Sequence, residues 1–174
     1  MTKRGLEMVG RIARRAAGAA CVIALVAAGG SLAATGGRGT VTETMHAHNE
    51  VLFSIPVHNP CTGAPGTLTA TAANEVFHVT FFENGDEAWI TGTAEGTATF
   101  TPEDAGGVSA SGHFTEWFGG SFNNKNSVEH ATTNFNLQNS DGSHVVVHGM
   151  FHLSTNARGE VTRTFEGLQP RCIP

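Results

Sequence analysis

Two charged residues fall on strand faces that are otherwise apolar. Glu116 lies between Phe114 and Phe118, and Arg163 lies two residues before Phe165. Because successive side chains of a β-strand point to opposite faces, strict alternation predicts that both charges point into the interior. Ligand pockets are mostly apolar and contain a few polar groups that orient the ligand. Glu116 and Arg163 are therefore candidate ligand-orienting groups.

An unpaired interior charge is costly, and the sequence also allows an arrangement without one. A bulge near Gly112 or Gly119 would turn Glu116 outward, and a strand end would let Arg163 reach water. The predicted ligand site adds aromatic residues of the same face to the two charges: Phe81, Phe114, Phe118 and Phe151. If the same cavity were catalytic, Glu116 would act as acid or base and Arg163 would stabilise developing negative charge.

Nine histidines are the other residues that could act in catalysis or bind a metal. His46 and His48 have a spacing that would place both rings on one side of a strand, which can suit zinc. A third ligand would have to come from the segment of His148 and His152, and a simple meander keeps that segment away. We therefore predict no metal site and expect these histidines to face solvent or pack on strands.

The two tryptophans alternate with predicted interior positions. Trp117 follows Glu116, and Trp89 precedes Ile90, so both indoles belong to the nominally outer face. Exposed aromatic side chains are typical of recognition surfaces. A patch that binds a sugar or a partner is one interpretation, and a covering loop or N-terminal segment is the other.

Sequence signatures of enzymes are absent. The chain contains no G-x-S-x-G, no H-E-x-x-H and no phosphate-binding loop. The adjacent Glu103 and Asp104 fall in a predicted loop, where such a pair is usually a solvated turn. The sequence thus favours a protein that is not an enzyme, and it predicts no cofactor.

The elements that must position these residues are β-strands. The chain is rich in Thr, Val, Phe and Gly, and no stretch after the first thirty-odd residues has the apolar spacing of a helix. Period-two segments separated by turn residues predict eight strands. They span 51–57, 67–72, 75–83, 88–100, 108–118, 128–137, 144–153 and 161–165, with Asn84-Gly85-Asp86 as a tight hairpin turn.

Eight antiparallel strands with short connections predict an up-and-down barrel, since closure removes exposed sheet edges. The alternative is a two-sheet β-sandwich, in which the loops 101–107 and 119–127 would cross between the sheets. On either arrangement the predicted β-domain is 51–174, and 34–50 is a partly flexible N-terminal extension.

Residues 1–33 have the pattern of a signal peptide. Basic residues precede the apolar stretch 16–28, which is too short for an ordinary membrane span, and Ser31-Leu32-Ala33 supplies a cleavage pattern. Either general secretion or the twin-arginine route would serve, because Arg14 and Arg15 are adjacent. The sequence predicts a secreted protein with no membrane span after cleavage.

Cleavage changes the charge and the cysteine count. The remaining chain has five basic and fourteen acidic residues, a formal charge of −9, which disfavours binding to nucleic acid. Two cysteines remain, Cys61 and Cys172, and in an oxidising compartment they are best explained as a disulfide.

Three segments resemble a family of small secreted actinobacterial proteins: NPCTG at 59–63, HFTEWFGGSFNNKNSV at 113–128 and HGMFHLSTNARGEVT at 148–162. The resemblance implies a calycin-like or allene-oxide-cyclase-like barrel, an extracellular location, and an early and a terminal cysteine. It supplies no activity and no catalytic residue.

Three functions follow from these observations. The first is a secreted barrel that holds a small apolar or amphipathic molecule in its lumen. The second is a cyclase- or isomerase-like enzyme that uses the same cavity. The third is a structural surface protein with a filled interior.

Overall fold

The computed structural model describes residues 39–83 and 87–174, and these residues form antiparallel β-strands. The eight strands are β1 (Val41–Ala47), β2 (Glu50–His58), β3 (Pro65–Phe81), β4 (Glu87–Pro102), β5 (Ala110–Asn123), β6 (Asn126–Asn139), β7 (His144–Asn156) and β8 (Val161–Ile173). The all-β class and the count of eight antiparallel strands are confirmed. The predicted signal peptide and the predicted turn Asn84-Gly85-Asp86 lie outside the described residues.

All eight strands belong to one sheet. From β3 to β8 each strand pairs with the next, and β1 and β2 both pair with the remaining edge of β3. Among the described residues β8 has no partner on its second edge, so hydrogen bonds do not close the sheet. The described residues contain no helix long and apolar enough to span a membrane.

The N-terminal part of the sheet differs from the sequence prediction. Residues 41–47, expected in the extension, form β1, and the predicted strands 67–72 and 75–83 merge into β3. The hydrophobic pattern predicted two strands here because a bulge between Ala72 and Asn74 adds a residue that interrupts the alternation. β1 and β2 follow one another along β3, and the chain bends between them at Asn49, which has φ of 57°. Asparagine tolerates this left-handed conformation better than most residues.

Alternation along the strands gives the sheet two distinct faces. The inner face carries Phe77, Phe114 and Phe135, together with Glu116 and the predicted site residues Phe81, Phe118 and Phe151, and the outer face is mainly polar. Glycines opposite aromatic residues make room on the inner face. The Phe118 ring covers Gly92, where a Cβ would lie 2.3 Å from the ring.

The core occupies one half of the inner face, which we call the disulfide end. Small and large side chains alternate there and are buried: Ala70, Ala72, Ala94, Ala98, Phe100, Ala110, Phe114, Phe135, Leu137 and Val145. The Phe53 ring of β2 contacts the Phe135 ring of β6 edge to face at 6.2 Å. Since β2 and β6 are far apart in the strand order, the sheet must curl so that its two edges approach one another.

A disulfide and a pair of asparagines hold the curled sheet at this end. Cys61, after β2, bonds Cys172 in β8, which confirms the predicted pairing. The buried Asn59 donates from Nδ2 to Asn139 Oδ1 at 2.9 Å and thereby joins the β2–β3 turn to the end of β6. We call this pair the asparagine clamp.

The two edge strands next to the disulfide each contain a proline. Pro56 lies in β2 and Pro170 lies in β8, so each of these two strands has one residue without an N–H. Proline in a sheet is typical of edge strands because it cannot donate to the ladder. The half that contains β1 and the turns 124–125 and 157–160 has neither a disulfide nor the clamp, and we call it the open end.

Candidate functional site

Glu116 lies on the inner face at the boundary between the disulfide end and the open end. It pairs across β5 with Ala94 of β4 on one side and with Thr133 of β6 on the other. Ala94 also pairs with Glu75 of β3, so only a methyl group stands between the two glutamates. The structure therefore places Glu116 in the interior, as alternation predicted.

The ionisation of Glu116 is affected by its burial and by the charge of Glu75. Burial and, to a smaller extent, the negative charge of Glu75 together raise the pKa of Glu116 to about 7. Burial and the charge of Glu50 likewise raise the pKa of Glu75. Among the described residues Glu116 has no hydrogen bond or ion pair that would stabilise its charged form. The Glu116 carboxyl can therefore hold a proton near neutral pH.

Two further glutamates line the inner face of the open end. Glu129 pairs with Gly120 and Leu153, and Glu166 pairs with Phe151. Burial raises the pKa of each. The sequence prediction missed Glu75, Glu129 and Glu166, although alternation from Phe77 and Phe135 already puts the first two on the inner face.

No basic side chain on a described strand shares this face. Lys125 and Arg158 belong to turns. The histidines and arginines of the strands pair with outer-face residues of the neighbouring strands, so they lie on the outer face. The inner face of the open end is therefore acidic and apolar, without an internal counter-charge.

The predicted aromatic residues separate into two environments. Phe114 is fully buried and stacks with Phe135 in the core of the disulfide end. Phe118 and Phe151 lie beyond Glu116 toward the open end, and Phe81 lies near the end of β3; all three are only partly buried. Phe118 and Phe151 both pair with Ala131 of β6, whose methyl group leaves space between the two rings.

Arg163 corrects the sequence prediction. It pairs with Ser154, lies on the outer face and is exposed, as is Phe165, which pairs with His152. The interior placement of Arg163 and Phe165 was wrong because β8 is an edge strand whose faces are set by its register with β7. From Thr164 to Cys172 the even-numbered residues of β8 face inward. Arg163 and Glu116 therefore do not form one site.

The outer face contains both tryptophans and most histidines. Trp117 is 45% exposed and its ring lies 4.8 Å from the His130 ring, whereas Trp89 packs edge to face on Phe82 at 5.1 Å. A shallow pocket of about 460 Å³ lies beside Trp117. Its lining residues are Asn74, Thr93, Ala94, Glu95, Thr115, Glu116, Trp117, Thr132 and Asn134.

The histidine pair His46 and His48 does not share a strand face. β1 ends at Ala47, His46 faces outward opposite Val76, and His48 Nδ1 lies 3.4 Å from the Ala73 carbonyl oxygen. Across residues 39–83 and 87–174, no group of three or more histidine, cysteine or acidic side chains is arranged to hold a metal ion.

Comparison of the chain with models of protein families, with curated protein sequences and with solved structures gave no match. The fold and the two sites described above are therefore the basis for the functional proposal.

Proposed function

We propose that this chain is an exported binding protein that holds a small amphipathic molecule on the inner face of its open end. The observation that carries the proposal is Glu116, a half-buried carboxyl with no hydrogen-bond or ion-pair partner among the described residues, beside the half-buried rings of Phe118 and Phe151. A partly desolvated carboxylate without a partner is destabilised, and a ligand that supplies a hydrogen bond or a positive charge would reduce that cost. The aromatic rings would receive the apolar part of the ligand.

The charge of the site determines which amphipathic molecules suit it. The sequence prediction included Arg163, which would have admitted an anionic head group, but Arg163 lies on the outer face. The inner-face glutamates, among them Glu75, Glu116, Glu129 and Glu166, favour a ligand whose polar end is a cation or a neutral hydrogen-bond donor. A ligand with a carboxylate head would be repelled at pH values above the pKa of Glu116.

Export is part of the same proposal. The disulfide is compatible with an extracellular protein, and the signal-like pattern of residues 1–33 would direct the chain across a membrane. We also propose kinship with the small secreted actinobacterial proteins that the chain resembles. Mass spectrometry of protein purified from culture medium would show a mature chain that begins at Ala34, and under native conditions it would show the mass of any retained molecule.

The binding test uses two probes with the same alkyl chain and opposite charge, decylamine and decanoate. Each is titrated into isotope-labelled protein at pH 8, and backbone amide shifts are followed by NMR. We expect decylamine to shift the amides of the inner-face row around Ala94, Glu116 and Phe118, and we expect decanoate to have a much smaller effect. The proposal fails if neither probe shifts this row or if decanoate binds better.

Matched variants separate specific binding from a general effect of charge or hydrophobicity. Glu116→Gln should weaken decylamine binding about tenfold, a loss of 1.4 kcal/mol, whereas Glu103→Gln in an exposed loop should not. Phe151→Ala on the inner face should weaken it, and Phe165→Ala on the outer face of the adjacent strand should not. Equal losses from the inner and outer members of a pair would contradict the proposed location.

A second function, an enzyme of the cyclase or isomerase kind, is favoured by one observation. A carboxyl with a pKa of about 7 can both give and take a proton near neutral pH. The proposed partner group for developing negative charge, Arg163, does not face Glu116. Exchange of labelled protons into a bound probe ketone, abolished by Glu116→Gln, would support catalysis over binding.

A further inference from the structure

The outer face carries a second candidate site beside Trp117, whose lining also includes Ala94 and Glu116 of the inner-face row. Two neighbouring rows of paired residues form it. One row runs Asn74, Glu95, Thr115 and Asn134 across β3 to β6, and the next runs Thr93, Trp117 and Thr132 across β4 to β6. Neighbouring strands lie about 4.8 Å apart, so the polar groups of a row are spaced at that interval beside one indole ring.

The indole of Trp117 is held as a platform. Gly119 has no side chain, and the His130 ring lies over it; a Cβ at Gly119 would be 3.1 Å from His130 Nε2. The His130 ring in turn contacts the Trp117 ring, with 41° between the two planes. The ring is therefore in contact with His130 on one side, and Trp117 as a whole residue is 45% exposed to solvent.

Asn134 is oriented by a neighbour as well. Its Oδ1 lies 2.8 Å from His148 Nδ1. Because an amide oxygen only accepts, the histidine nitrogen donates this bond, and the Asn134 amide nitrogen keeps both N–H groups for another acceptor. The lining thus offers amide donors, hydroxyl groups that donate or accept, and the outer-face carboxylate acceptor of Glu95.

This combination determines the chemical class of ligand. A flat aromatic ring packs against the C–H face of a pyranose, and closely spaced hydroxyl, amide and carboxylate groups match the hydroxyl groups at its edge. The lining contains no cation, so it offers nothing to a phosphate, sulfate or uronate group. We propose that the pocket beside Trp117 binds a neutral pyranoside, such as one unit of an uncharged oligosaccharide.

The contrast between the two tryptophans supplies the control. Trp89 is also exposed on the outer face, but its Nε1 donates to Glu87 Oε1 at 2.8 Å and its ring packs on Phe82. Among the described residues Trp117 Nε1 has no such bond. The site therefore depends on Trp117 and not on tryptophan exposure in general.

The test titrates cellohexaose, maltohexaose, N-acetylated chitohexaose and the anionic hexagalacturonate into the full chain by calorimetry. We expect at least one neutral hexasaccharide to bind with a millimolar or lower Kd and the anionic one to bind more weakly. Trp117→Ala should lose at least about tenfold in affinity and Asn134→Ala several-fold, while Trp89→Ala should be unchanged. Decylamine binding should survive in Trp117→Ala, so that failure of one site is distinguishable from failure of the other.

Several results would overturn this proposal. The first is the absence of binding by every neutral hexasaccharide at 10 mM, a concentration that corresponds to about 2.7 kcal/mol of binding free energy. The second is tighter binding of the anionic hexasaccharide. The third is an equal loss of affinity in Trp117→Ala and Trp89→Ala. A circular dichroism spectrum and a melting temperature for each variant ensure that a loss is read only from folded protein.

Discussion

The two ends of the inner face show that burial in this protein does not follow side-chain hydrophobicity. At the disulfide end, Ala70, Ala72 and Ala98 have no exposed surface, although alanine gains little from burial. At the open end the much larger Phe118 and Phe151 remain partly exposed. The difference lies in how the two edges of the sheet are joined, because the disulfide and the asparagine clamp bring β2 over the core at one end only.

The charged side chains of the inner face are also distributed differently between the disulfide end and the open end. The buried polar residues of the disulfide end are the two neutral asparagines of the clamp, each with a hydrogen-bond partner. The open end has glutamates on the same face and no cation to pair with them. A protein optimised only for stability would fill these positions with apolar residues, since a charge without a partner lowers stability. The open end is therefore where a ligand is expected.

The largest expected effect comes from removing the covalent link at the disulfide end. Replacement of both cysteines, Cys61→Ser with Cys172→Ser, should lower the free energy of unfolding by about 4–5 kcal/mol in the chain-entropy model for a loop of this size. Chemical denaturation measures the total. Hydrogen exchange measures the location, and protection should be lost first around Val145, which pairs with Cys172.

The contrast between the two ends of the inner face would be contradicted if hydrogen exchange in the cysteine variant rose first around Phe118 and Phe151. That result would mean that the disulfide supports the open end as well. A matched measurement on reduced wild-type protein controls for the introduced hydroxyl groups.

The next effect concerns the open end and depends on pH. The pKa of Glu116 is about 7 in the folded protein and near 4.5 when unfolded, so the folded state is disfavoured once the carboxyl ionises. The contribution of Glu116 to the free energy of unfolding is highest below pH 4.5 and falls between pH 4.5 and 7. Above pH 7 it is lower by about 3 kcal/mol than below pH 4.5. Glu116→Gln should therefore be more stable than the wild type at pH 8 and about equal to it at pH 4.5.

Melting curves of the wild type and of Glu116→Gln at several pH values test this difference. Glu75, Glu129 and Glu166 have pKa values raised in the same direction, so the variant should retain a weaker decline of stability with rising pH. Glu103→Gln, in an exposed loop, should follow the wild type. A difference between Glu116→Gln and wild type that does not change with pH would show that the carboxyl is not desolvated.

Alternation was sufficient to predict most of the inner face from the sequence. Regular strands such as β4 and β5 keep period two over more than ten residues, so Glu116 and the core phenylalanines could be placed correctly. The turn that contains Cys61 and the single terminal cysteine made the disulfide predictable. These features are local or depend on only one pairing.

The sequence prediction failed where the pattern depends on a distant strand. In β8 the apolar Phe165 suggested an inner face for Arg163, but Cys172 pairs with the inward-facing Val145, which turns the even-numbered residues from Thr164 to Cys172 inward. The predicted disulfide already contained this information, since counting back from Cys172 puts Arg163 outside. The β3 bulge and the outer pocket of Trp117 were not predictable, because they depend on the register of three or more strands.

The smallest of the expected effects concerns the asparagine clamp and its relation to the disulfide. Asn139→Ala removes the acceptor of Asn59 Nδ2 and the donor to Ser143 Oγ, which lies 2.8 Å away. It leaves a buried amide without its partner, at a cost of about 1–3 kcal/mol. Asn136→Ala, on the exposed face of the same strand, should change stability by less than about 0.5 kcal/mol. Urea denaturation of both variants measures the difference.

The same substitution in the disulfide-free background shows whether the clamp and the disulfide act as one unit. Both join the β2–β3 turn to the far side of the sheet, so without the disulfide the turn can move away and let water reach Asn59. Asn139→Ala should then cost less than it does in the wild type, and the two losses should not add. Additive losses would mean that each link holds its own part of the disulfide end. In that case the contrast between the two ends would depend on local packing around each link rather than on one closure of the sheet.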